Sequence, residues 1–483
     1  MISVTTSTDA SLIVDMVRRA WIETVDPRSS GHRFTVVDAQ RLLETGTAIV
    51  AIDDTGEALG SLILVPESNS SLELMKLAVP THREQGIGTL LLGAAAQWAR
   101  DSGADEIVLA VSAFQPQLTR YYARRGYVVR PDRSYVHAHP SSPQPIVMTL
   151  DLHADQPPVD PIADAAVALQ HGHLVVIPTE TVYGLGALAT DPVAVRRVFA
   201  TKGRPVDHPL IVHLASAHAM RHWAVNIPDE AYRLADAFWP GPLTLVLEKH
   251  PDVSNEVTGG LSTVAIRVPN HCVALAILGL LPDGAGIAAP SANRFGKVSP
   301  TSAADVAGLV AFMIDGDVVL DGGPSRVGVE STIVDLTSAV PTILRPGGIS
   351  AEQIESVLDG PVERVAAGPS RAPGMLAAHY APSAGVRLTN SADAADVATA
   401  LLASGVRVGL LAPNEITVPD GVARLEAPAI YDGDSVAPIL YARLREADAL
   451  GLDVFVVVVP DERGLGWAVA DRLRRAAHGT TAS

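Results

Sequence analysis

Hydrophobic and polar positions alternate in short runs along the 483-residue chain, with a period that switches between that of a strand and that of a helix. Near the start, apolar residues fall on Leu72 and Leu74 and then shift by one position to Met75, Leu77 and Val79. Because side chains alternate between the two faces of a strand, a one-residue shift predicts a strand with a β-bulge.

The segment after this strand combines glycines with a helical pattern. Arg83-Glu84-Gln85-Gly86-Ile87-Gly88 precedes a predicted helix, whose apolar face is Leu91, Ala94, Ala95 and Trp98. Glycines at the start of a helix allow backbone N–H groups to approach phosphates closely. We therefore predict a pyrophosphate-binding loop here.

The middle of the chain opens with a buried-type strand at residues 174–177, which runs into the hydroxyl-rich residues 178–186. Asp191 then caps a predicted helix. Toward the C terminus, the short apolar runs 406–411 and 454–459 lie between helical stretches. They predict a small α/β domain.

Two Pro-rich segments, residues 140–158 and residues 368–382, divide the chain into three parts. The predicted domains are residues 1–150, 157–365 and 383–483, with residues 366–382 as a linker. All three parts mix helix and strand patterns, so the predicted fold class is α/β, in a mixed α+β arrangement.

Composition favours a folded protein that stays inside the cell. Apolar residues make up 48% of the chain and charged residues 18%. No apolar run approaches the roughly 20 residues of a membrane span, and the start lacks a signal-peptide pattern. Cys272 is the only cysteine. We expect a cytoplasmic protein without disulfide, metal site or membrane contact.

The net charge of −17, from 36 basic and 53 acidic residues, disfavours broad adhesion to nucleic acid. An anionic ligand would instead need a few positioned cations and backbone amides. No stable direct binding to nucleic acid is therefore expected.

The middle part has no P-loop, since Gly296-Lys297-Val298 lacks the upstream glycine and the hydroxyl residue. It offers charges, hydroxyls and glycines in short motifs instead. These are Lys202-Gly203-Arg204-Pro205, Pro290-Ser291-Ala292-Asn293, Ser299-Pro300-Thr301, Gly328-Val329-Glu330-Ser331-Thr332 and Leu344-Arg345-Pro346-Gly347-Gly348. Each motif alone could be a turn, a cap or a strand end. Together they suit a polyphosphate.

These ordered motifs, with Trp239-Pro240-Gly241-Pro242-Leu243-Thr244 and Thr263-Val264-Ala265-Ile266-Arg267-Val268-Pro269, resemble the YrdC-type threonylcarbamoyl-AMP synthases. The resemblance implies a twisted-sheet α/β domain that makes threonylcarbamoyl-adenylate and pyrophosphate from L-threonine, bicarbonate and ATP. Tyr441-Ala442-Arg443-Leu444-Arg445-Glu446-Ala447-Asp448 and Gly464-Leu465-Gly466-Trp467 resemble the Rossmann-like C-terminal domain of the long form of that family.

By motif match, the resemblance assigns site residues to both substrates. The ATP contacts are Lys202, Arg204, His208, Thr263, Ser291, Asn293, Ser299, Arg345 and Tyr380. The L-threonine contacts are Thr181, His213, Arg267, Ala289 and Ser331. His208 stands where an Asn is common.

Four of the ATP contacts, Lys202, Arg204, Ser291 and Asn293, are also implied to be catalytic, because they would stabilise charge as pyrophosphate leaves. Tyr380 would belong to a linker that covers the nucleotide. Mg²⁺ is expected as an ion that bridges the phosphates of ATP.

The resemblance also implies partners and alternatives. The product would serve threonylcarbamoylation of adenosine in tRNA, and the tRNA itself would be bound by downstream threonylcarbamoyl-transfer proteins. The alternative is a non-catalytic RNA-binding or nucleotide-sensing module attached to an acetyltransferase.

In the N-terminal part, the bulged strand, the Arg83–Gly88 loop and Tyr121-Tyr122-Ala123-Arg124-Arg125-Gly126-Tyr127 resemble the GNAT acetyltransferases. This implies binding of acetyl-CoA by Val79, Arg83, Gly86 and Gly88. Tyr122 takes the position of a general acid for the departing thiolate. Gln115 stands where many members have Asn. The alternative is a degenerate acetyltransferase retained for packing or partner binding.

Overall fold

The computed structural model describes residues 2–22, 30–81, 85–138, 142–154, 160–364 and 380–480. The chain divides into two compact units, Met1–Asp160 and Pro161–Ser483. Arg83 and residues 366–379 of the predicted linker lie outside the described residues. The mixed α/β fold class that the sequence predicts is confirmed.

The described residues of the first unit form one mixed sheet with helices packed on it. The strands are β1 (Ser3–Ser7), β2 (Thr47–Ile52), β3 (Ala58–Pro66), β4 (Ser71–Ala78), β5 (Glu106–Val111), β6 (Val128–Val129) and β7 (Ile146–Asp151). The helices are α1 (Ala10–Trp21), α2 (Val36–Leu43), α3 (Ile87–Asp101) and α4 (Leu118–Ala123). The strand order is β1-β2-β3-β4-β5-β7-β6, and only β4 and β5 are parallel.

Strand β4 carries the predicted bulge. Its register with β3 changes between the pair Ser61 and Ala78 and the pair Ile63 and Met75, so β4 has one extra residue. Lys76, within this bulge, has a φ of 54°. A left-handed conformation is uncommon for a lysine and is often found near functional sites.

The neighbours β4 and β5 separate soon after they pair. Their parallel register runs from Ser71 opposite Glu106 to Glu73 opposite Val108, and both strands then continue without pairing to each other. The diverging strand ends open a cavity between them. The predicted helix α3 follows, with Leu91 and Ala95 buried.

The second unit contains a large central sheet and a small C-terminal sheet. The central strands are β8 (Val175–Ile177), β9 (Gly184–Leu188), β10 (Ile211–Leu214), β11 (Leu243–Glu248), β12 (Thr263–Arg267), β13 (Gly286–Ala288), β14 (Val318–Val319), β15 (Thr332–Asp335), β16 (Thr342–Arg345) and β17 (Glu363–Arg364). Within the described residues they form a ten-stranded sheet in the order β14-β8-β9-β13-β10-β12-β11-β15-β16-β17. Its helices are α5 (Pro161–Gln170), α6 (Pro192–Lys202), α7 (Asp229–Phe238), α8 (Asn255–Thr258), α9 (Cys272–Leu280), α10 (Ala307–Val310) and α11 (Ala351–Leu358).

The small sheet is parallel throughout, in the order β18-β21-β19-β20. Its strands are β18 (Gly385–Thr389), β19 (Val408–Leu411), β20 (Ala423–Arg424) and β21 (Val454–Val458). Its helices are α12 (Ala394–Ala403), α13 (Gly433–Val436), α14 (Leu440–Ala449) and α15 (Gly466–Thr480). The apolar runs that predicted this domain are β19 and β21.

Packing joins the C-terminal domain to the central domain. One apolar cluster contains Val182 and Val329 of the central domain together with Leu440, Phe455 and Val469 of the C-terminal domain. All five side chains are buried. Because the two domains share this core, side chains of the C-terminal domain can reach residues of the central sheet.

Candidate active site

A small cavity lies where several central strands end. It brings together nine of the residues assigned from the sequence, namely Thr181, Arg204, His213, Arg267, Ala289, Ser291, Ser331, Arg345 and Tyr380. The enclosed volume is about 50 Å³, whereas small-molecule pockets span ~300–1,000 Å³. A whole nucleotide therefore needs movement of lining side chains or must lie partly outside the enclosed space.

Along the cavity wall, the guanidinium of Arg267 is buried and held from three sides. Its Nη1 donates to Oγ1 of Thr181 at 2.9 Å and its Nε donates to the carbonyl oxygen of Gly241 at 3.1 Å. Nη2 lies 2.5 Å from Oε1 of Glu180, which is equally buried. The sequence analysis gave no role to Glu180. Its charge compensates Arg267 and fixes the direction of the guanidinium.

Beside Arg267 on the neighbouring strand lies His213, which the β10–β12 register pairs with it. Burial, and secondarily the charge of Arg267, lowers the pKa of His213 to about 3. The imidazole is therefore neutral near pH 7. Its Nδ1 is buried and has no hydrogen-bond partner among the described residues. A buried polar atom of this kind can bind a polar ligand atom.

Two further arginines, Arg204 and Arg345, line the cavity and add positive charge to it. Arg204 follows α6, which ends at Gly203 with a φ of 65° as its left-handed cap. Arg204 donates to the carbonyl oxygen of Pro209 at 3.0 Å, and burial lowers its pKa to about 10. Arg345 donates to the carbonyl oxygen of Ser331 at 2.8 Å, and burial lowers its pKa as well. Both remain cations at pH 7 and repel each other, which an anionic ligand would relieve.

The carboxylate of Glu330 also lines the cavity, and residues far apart in the chain hold it. Its oxygens accept hydrogen bonds from Ser299 Oγ at 2.7 Å, Tyr441 at 2.7 Å and Arg472 Nε at 2.8 Å. Burial alone would raise the pKa of Glu330, but Arg472 and Arg345 outweigh it and lower the value to about 2. Glu330 is thus ionised and fixed by two C-terminal side chains.

The C-terminal domain makes further contacts beside this carboxylate. Arg472 is fully buried and donates to the carbonyl oxygen of Pro346 at 2.9 Å. Arg445 donates to the carbonyl oxygen of Ser299 at 2.6 Å and pairs with Asp305 at 2.7 Å. Glu330 and Tyr441 occur in motifs that the sequence analysis quoted, but their functional role was missed. No local pattern singled out Arg472.

The ring of Tyr380 closes the side of the cavity next to the C-terminal domain. Its φ is 64°, and its ring stacks on that of Tyr441 at a centroid distance of 5.5 Å. The guanidinium of Arg472 lies 5.3 Å from the centroid of the Tyr380 ring. Tyr380 is therefore fixed to the same two side chains that hold Glu330.

Lys202 lies behind the cavity and does not line it. Its Nζ donates to the carbonyl oxygens of Ser291, at 2.5 Å, and of Asn293. Burial, with the charges of Arg204 and Arg294, lowers the pKa of Lys202 well below its usual value. In this arrangement Lys202 supports the loop at residues 291–293. The contact of Lys202 with ATP stays a prediction.

Four other residues assigned to ATP also lie outside the cavity lining. Asn293 is buried and donates to the carbonyl oxygen of Lys297 at 2.7 Å. Ser299 donates to Glu330, and the ring of His208 lies 5.7 Å from that of Phe295. Thr263 begins β12, which ends at Arg267. Since strands rise about 3.3 Å per residue, some 13 Å separates Thr263 from Arg267.

The first unit has its own cavity, of about 560 Å³, where β4 and β5 diverge. Val79, Gly88 and Tyr122, which the resemblance assigns to an acetyl-CoA site, line it together with Gln115. A Cβ on Gly88 would lie 2.3 Å from the hydroxyl oxygen of Tyr121, so a larger residue there would require the Tyr121 side chain to move. Gly86 caps α3 with a φ of 76°.

Among the described residues there is no helix long and apolar enough to cross a membrane. The same residues contain no group of three or more His, Cys, Asp or Glu side chains arranged to hold a metal ion.

Fold and cavity together define the second unit as a YrdC-type domain followed by an additional C-terminal domain. Residues 167–347 match a family model described as Telomere recombination, and residues 349–478 match the Threonylcarbamoyl-AMP synthase C-terminal domain. Residues 13–127 match the Acetyltransferase (GNAT) family.

The chain belongs to the threonylcarbamoyl-AMP synthase family. It is 43% identical to the threonylcarbamoyl-AMP synthase of Pyrococcus abyssi over 65% of this chain and 92% of that protein. It is 41% identical to the Bacillus subtilis synthase over 66% of this chain and 93% of that protein. A crystal structure of P. abyssi Sua5 complexed with L-threonine matches at 42% identity, with a TM-score of 0.60 and coverage of 66% and 94%.

Proposed function

We propose that the second unit makes L-threonylcarbamoyl-adenylate, pyrophosphate and water from L-threonine, bicarbonate and ATP. One observation carries the proposal. A single cavity is lined by Arg267 and a neutral His213 together with Arg204 and Arg345. The first pair suits a carboxylate and a polar amine derivative, and the second pair suits phosphate.

The amino acid would bind beside Arg267. Arg267 is already oriented by Glu180 and Thr181, so its remaining N–H can meet the carboxylate without rearrangement. Ser331 Oγ, 2.7 Å from Thr244 Oγ1, lines the same space and can bond the substrate hydroxyl. L-threonine in the P. abyssi complex supports this choice of amino acid.

The reaction then needs little beyond placement and charge. Nitrogen of L-threonine takes up bicarbonate as a carbamate, with loss of water, and a carbamate oxygen attacks the α-phosphorus of ATP as the bond to pyrophosphate breaks. Arg204 and Arg345 would stabilise the negative charge that develops on the phosphates. His213, being neutral, can donate or accept one hydrogen bond at the carbamate without adding charge.

Mg²⁺ would enter as part of the ATP substrate. The two buried carboxylates at the cavity, Glu180 and Glu330, are each paired with an arginine. Because an arginine already pairs with each carboxylate, the phosphates of ATP would supply the ligands of Mg²⁺ instead.

The direct test is product formation by the full chain. The protein is incubated with ¹⁴C-bicarbonate, L-threonine and ATP, and the products are separated to look for a labelled adenylate and for pyrophosphate. Omission of L-threonine should abolish both products. Release of pyrophosphate that does not depend on L-threonine would contradict the proposal.

The labile adenylate would be consumed by proteins that transfer the threonylcarbamoyl group to adenosine in tRNA. The net charge of −17 favours tRNA binding by those proteins over binding by this chain.

In the first unit, we propose acetyl-CoA-dependent transfer to an amine, with Tyr122 protonating the leaving thiolate. Its support is the placement of Val79, Gly88 and Tyr122 around one cavity.

A further inference from the structure

The cavity of the first unit extends beyond the acetyl-CoA residues to a second set of side chains. We call this set the acceptor wall, and it consists of Trp21, Arg33, Lys76, Phe114, Tyr135 and His137. The whole cavity measures about 560 Å³, which falls within the ~300–1,000 Å³ of small-molecule pockets. The acetyl thioester and a small acceptor would share this volume.

Lys76 is the main cation of the acceptor wall. Its ammonium lies 5.5 Å from the ring centroid of Trp21 and 5.1 Å from that of Phe34. In the part of the chain that the structure describes, no carboxylate oxygen forms an ion pair with it, although Glu73 and Asp38 act on it from farther away. The bulge holds Lys76 at a φ of 54°. A cation held between rings and facing a cavity without an ion-pair partner is suited to an anionic ligand.

Arg33, at the end of a short 3₁₀ helix, adds a second positive charge to the acceptor wall. Two cations on one wall would repel a polyamine or the side chain of a lysine. They attract a carboxylate, with which a guanidinium can form two parallel hydrogen bonds. The charges therefore select between classes of amine acceptor.

A candidate proton acceptor lies on the same wall. His137 lines the cavity, and its Nε2 lies 3.5 Å from Oε2 of Glu73. Tyr135 donates to Oε1 of Glu73 at 2.6 Å and so orients that carboxylate, which is buried. Glu73 thus places a carboxylate beside the imidazole of His137, the candidate proton acceptor. Because 61% of the His137 side chain is exposed, the proton can pass on to solvent.

We propose that the first unit acetylates the amine of a small acceptor that also carries a carboxylate, an amino-acid-like compound. The proposal deepens, and rests on, the acetyl-CoA-dependent function proposed above. Lys76 and Arg33 bind the carboxylate of the acceptor, and His137 faces its amine.

The reaction balances without another reactant. The acceptor ammonium loses a proton to His137, and the free amine attacks the carbonyl carbon of acetyl-CoA. As the C–N bond forms, the C–S bond breaks, and the thiolate takes a proton from Tyr122. The nitrogen releases its second proton to solvent, and solvent returns one proton to Tyr122. His137 then releases to solvent the proton that it accepted. The products are the N-acetylated acid, CoA and one proton.

The test uses the full chain with acetyl-CoA and a panel of L-amino acids, each paired with its amino alcohol. The amino alcohol keeps the amine and side chain but lacks the carboxylate. Release of CoA is followed with a thiol reagent. We expect kcat/KM for the best amino acid to exceed that for its amino alcohol by about tenfold or more. The matching 2-hydroxy acid should inhibit competitively against the amino acid.

Variants then assign the roles. Lys76→Met keeps the length and removes the charge, so KM for the amino acid should rise about tenfold while KM for acetyl-CoA stays unchanged. His137→Gln should lower kcat with little change in KM. Lys249→Met, which removes a lysine bonded to Asn255 in the second unit, is the matched control. If Lys76→Met does not fold, inhibition of the unaltered chain by the 2-hydroxy acid still tests the proposed carboxylate site.

The outcomes separate this inference from the function on which it rests. Acetylation of amino alcohols as efficiently as amino acids would overturn the proposed acceptor class. So would binding of acetyl-CoA, measured by calorimetry, without acetylation of any amino acid. A chain that does not bind acetyl-CoA would overturn the acetyltransferase function itself, and this inference with it.

Discussion

Arg472 of helix α15 donates through Nε to the carboxylate of Glu330 at 2.8 Å, and both side chains are buried. Glu330 lines the cavity of the central domain, whereas Arg472 belongs to the C-terminal domain. The C-terminal domain therefore holds a charged group of the candidate synthase site in place. The reaction of the central domain therefore depends on a side chain of the C-terminal domain.

Removal of the Arg472 guanidinium should destabilise the second unit. Arg472→Met leaves the carboxylate of Glu330 buried without its ion pair, which costs about 3–5 kcal/mol. We expect a lower midpoint of thermal unfolding and reduced adenylate synthesis. Arg474→Met, which removes an exposed arginine paired with Glu462, is the control. The double variant Glu330→Gln with Arg472→Met should recover much of the stability, and a failure to do so would argue against the pair as the cause.

Substitution of Arg267 should separate the two substrates. Arg267→Ala is expected to lower kcat/KM for L-threonine, with a loss of about 2–5 kcal/mol in the free energy of binding the substrate in the transition state. ATP binding, measured by calorimetry, should change little. Because Arg267→Ala also leaves Glu180 unpaired, Arg267→Ala with Glu180→Gln is the matched comparison. The second variant should regain stability but not use of L-threonine. Equal losses of affinity for ATP and L-threonine would contradict the assignment.

Stability should fall in mild acid because of His213. Its pKa is about 6.5 when unfolded and about 3 when folded, so between these values the unfolded state binds one more proton. The free energy of unfolding should therefore rise with pH in that window, by up to ~1.4 kcal/mol per pH unit from this group. His213→Gln should reduce the slope of urea-unfolding free energy between pH 4 and 6.5. The exposed His218→Gln is the control, and equal slopes in all three proteins would disprove the assignment.

Lys202 should act through the loop that it supports. Lys202→Met removes the donor to the carbonyl oxygens of Ser291 and Asn293, so the loop loses two hydrogen bonds. We expect lower kcat and weaker ATP binding together, with KM for L-threonine nearly unchanged. Lys297→Met, on a nearby exposed lysine, is the control. Unchanged ATP turnover in Lys202→Met would show that the loop keeps its position without this brace.

Adenylate synthesis should need the whole second unit but not the first unit. A chain limited to residues 161–483 is expected to keep adenylate synthesis, since it contains the whole cavity. A chain that ends at residue 364 lacks Tyr441 and Arg472, and should make little product even where it binds ATP. Product yield by labelled bicarbonate distinguishes the two. Full yield from the shorter chain would mean that Glu330 needs no C-terminal partner.

Local patterns in the sequence were enough to predict much of the fold. The phase change after Leu74 predicted the bulge on β4, and Asp191 caps α6 through hydrogen bonds to the backbone N–H groups of Val193 and Ala194. Both are contacts between near neighbours in the chain. Apolar runs likewise predicted β19 and β21, because a buried parallel strand needs little except apolar side chains.

The site was only partly predictable, because burial and partners depend on distant residues. The ordered motifs pointed to Arg204, Arg267 and Arg345, and the cavity brings them together. The same motifs contained Lys202, whose side chain turns to backbone carbonyls instead of the cavity. Nothing local showed that Glu330 would be compensated from a helix 142 residues later.

That separation has a consequence for synthesis of the protein in the cell. When the ribosome has made Glu330, it still has 142 residues to add before Arg472 exists. At about 5–20 residues per second, this interval lasts roughly 7–28 seconds. During this time the nascent central domain carries a carboxylate that it cannot bury at low free energy. The active-site region can therefore be completed only after helix α15 has been translated. A ribosome that stalls before Arg472 would leave the central domain exposed to chaperones and proteases.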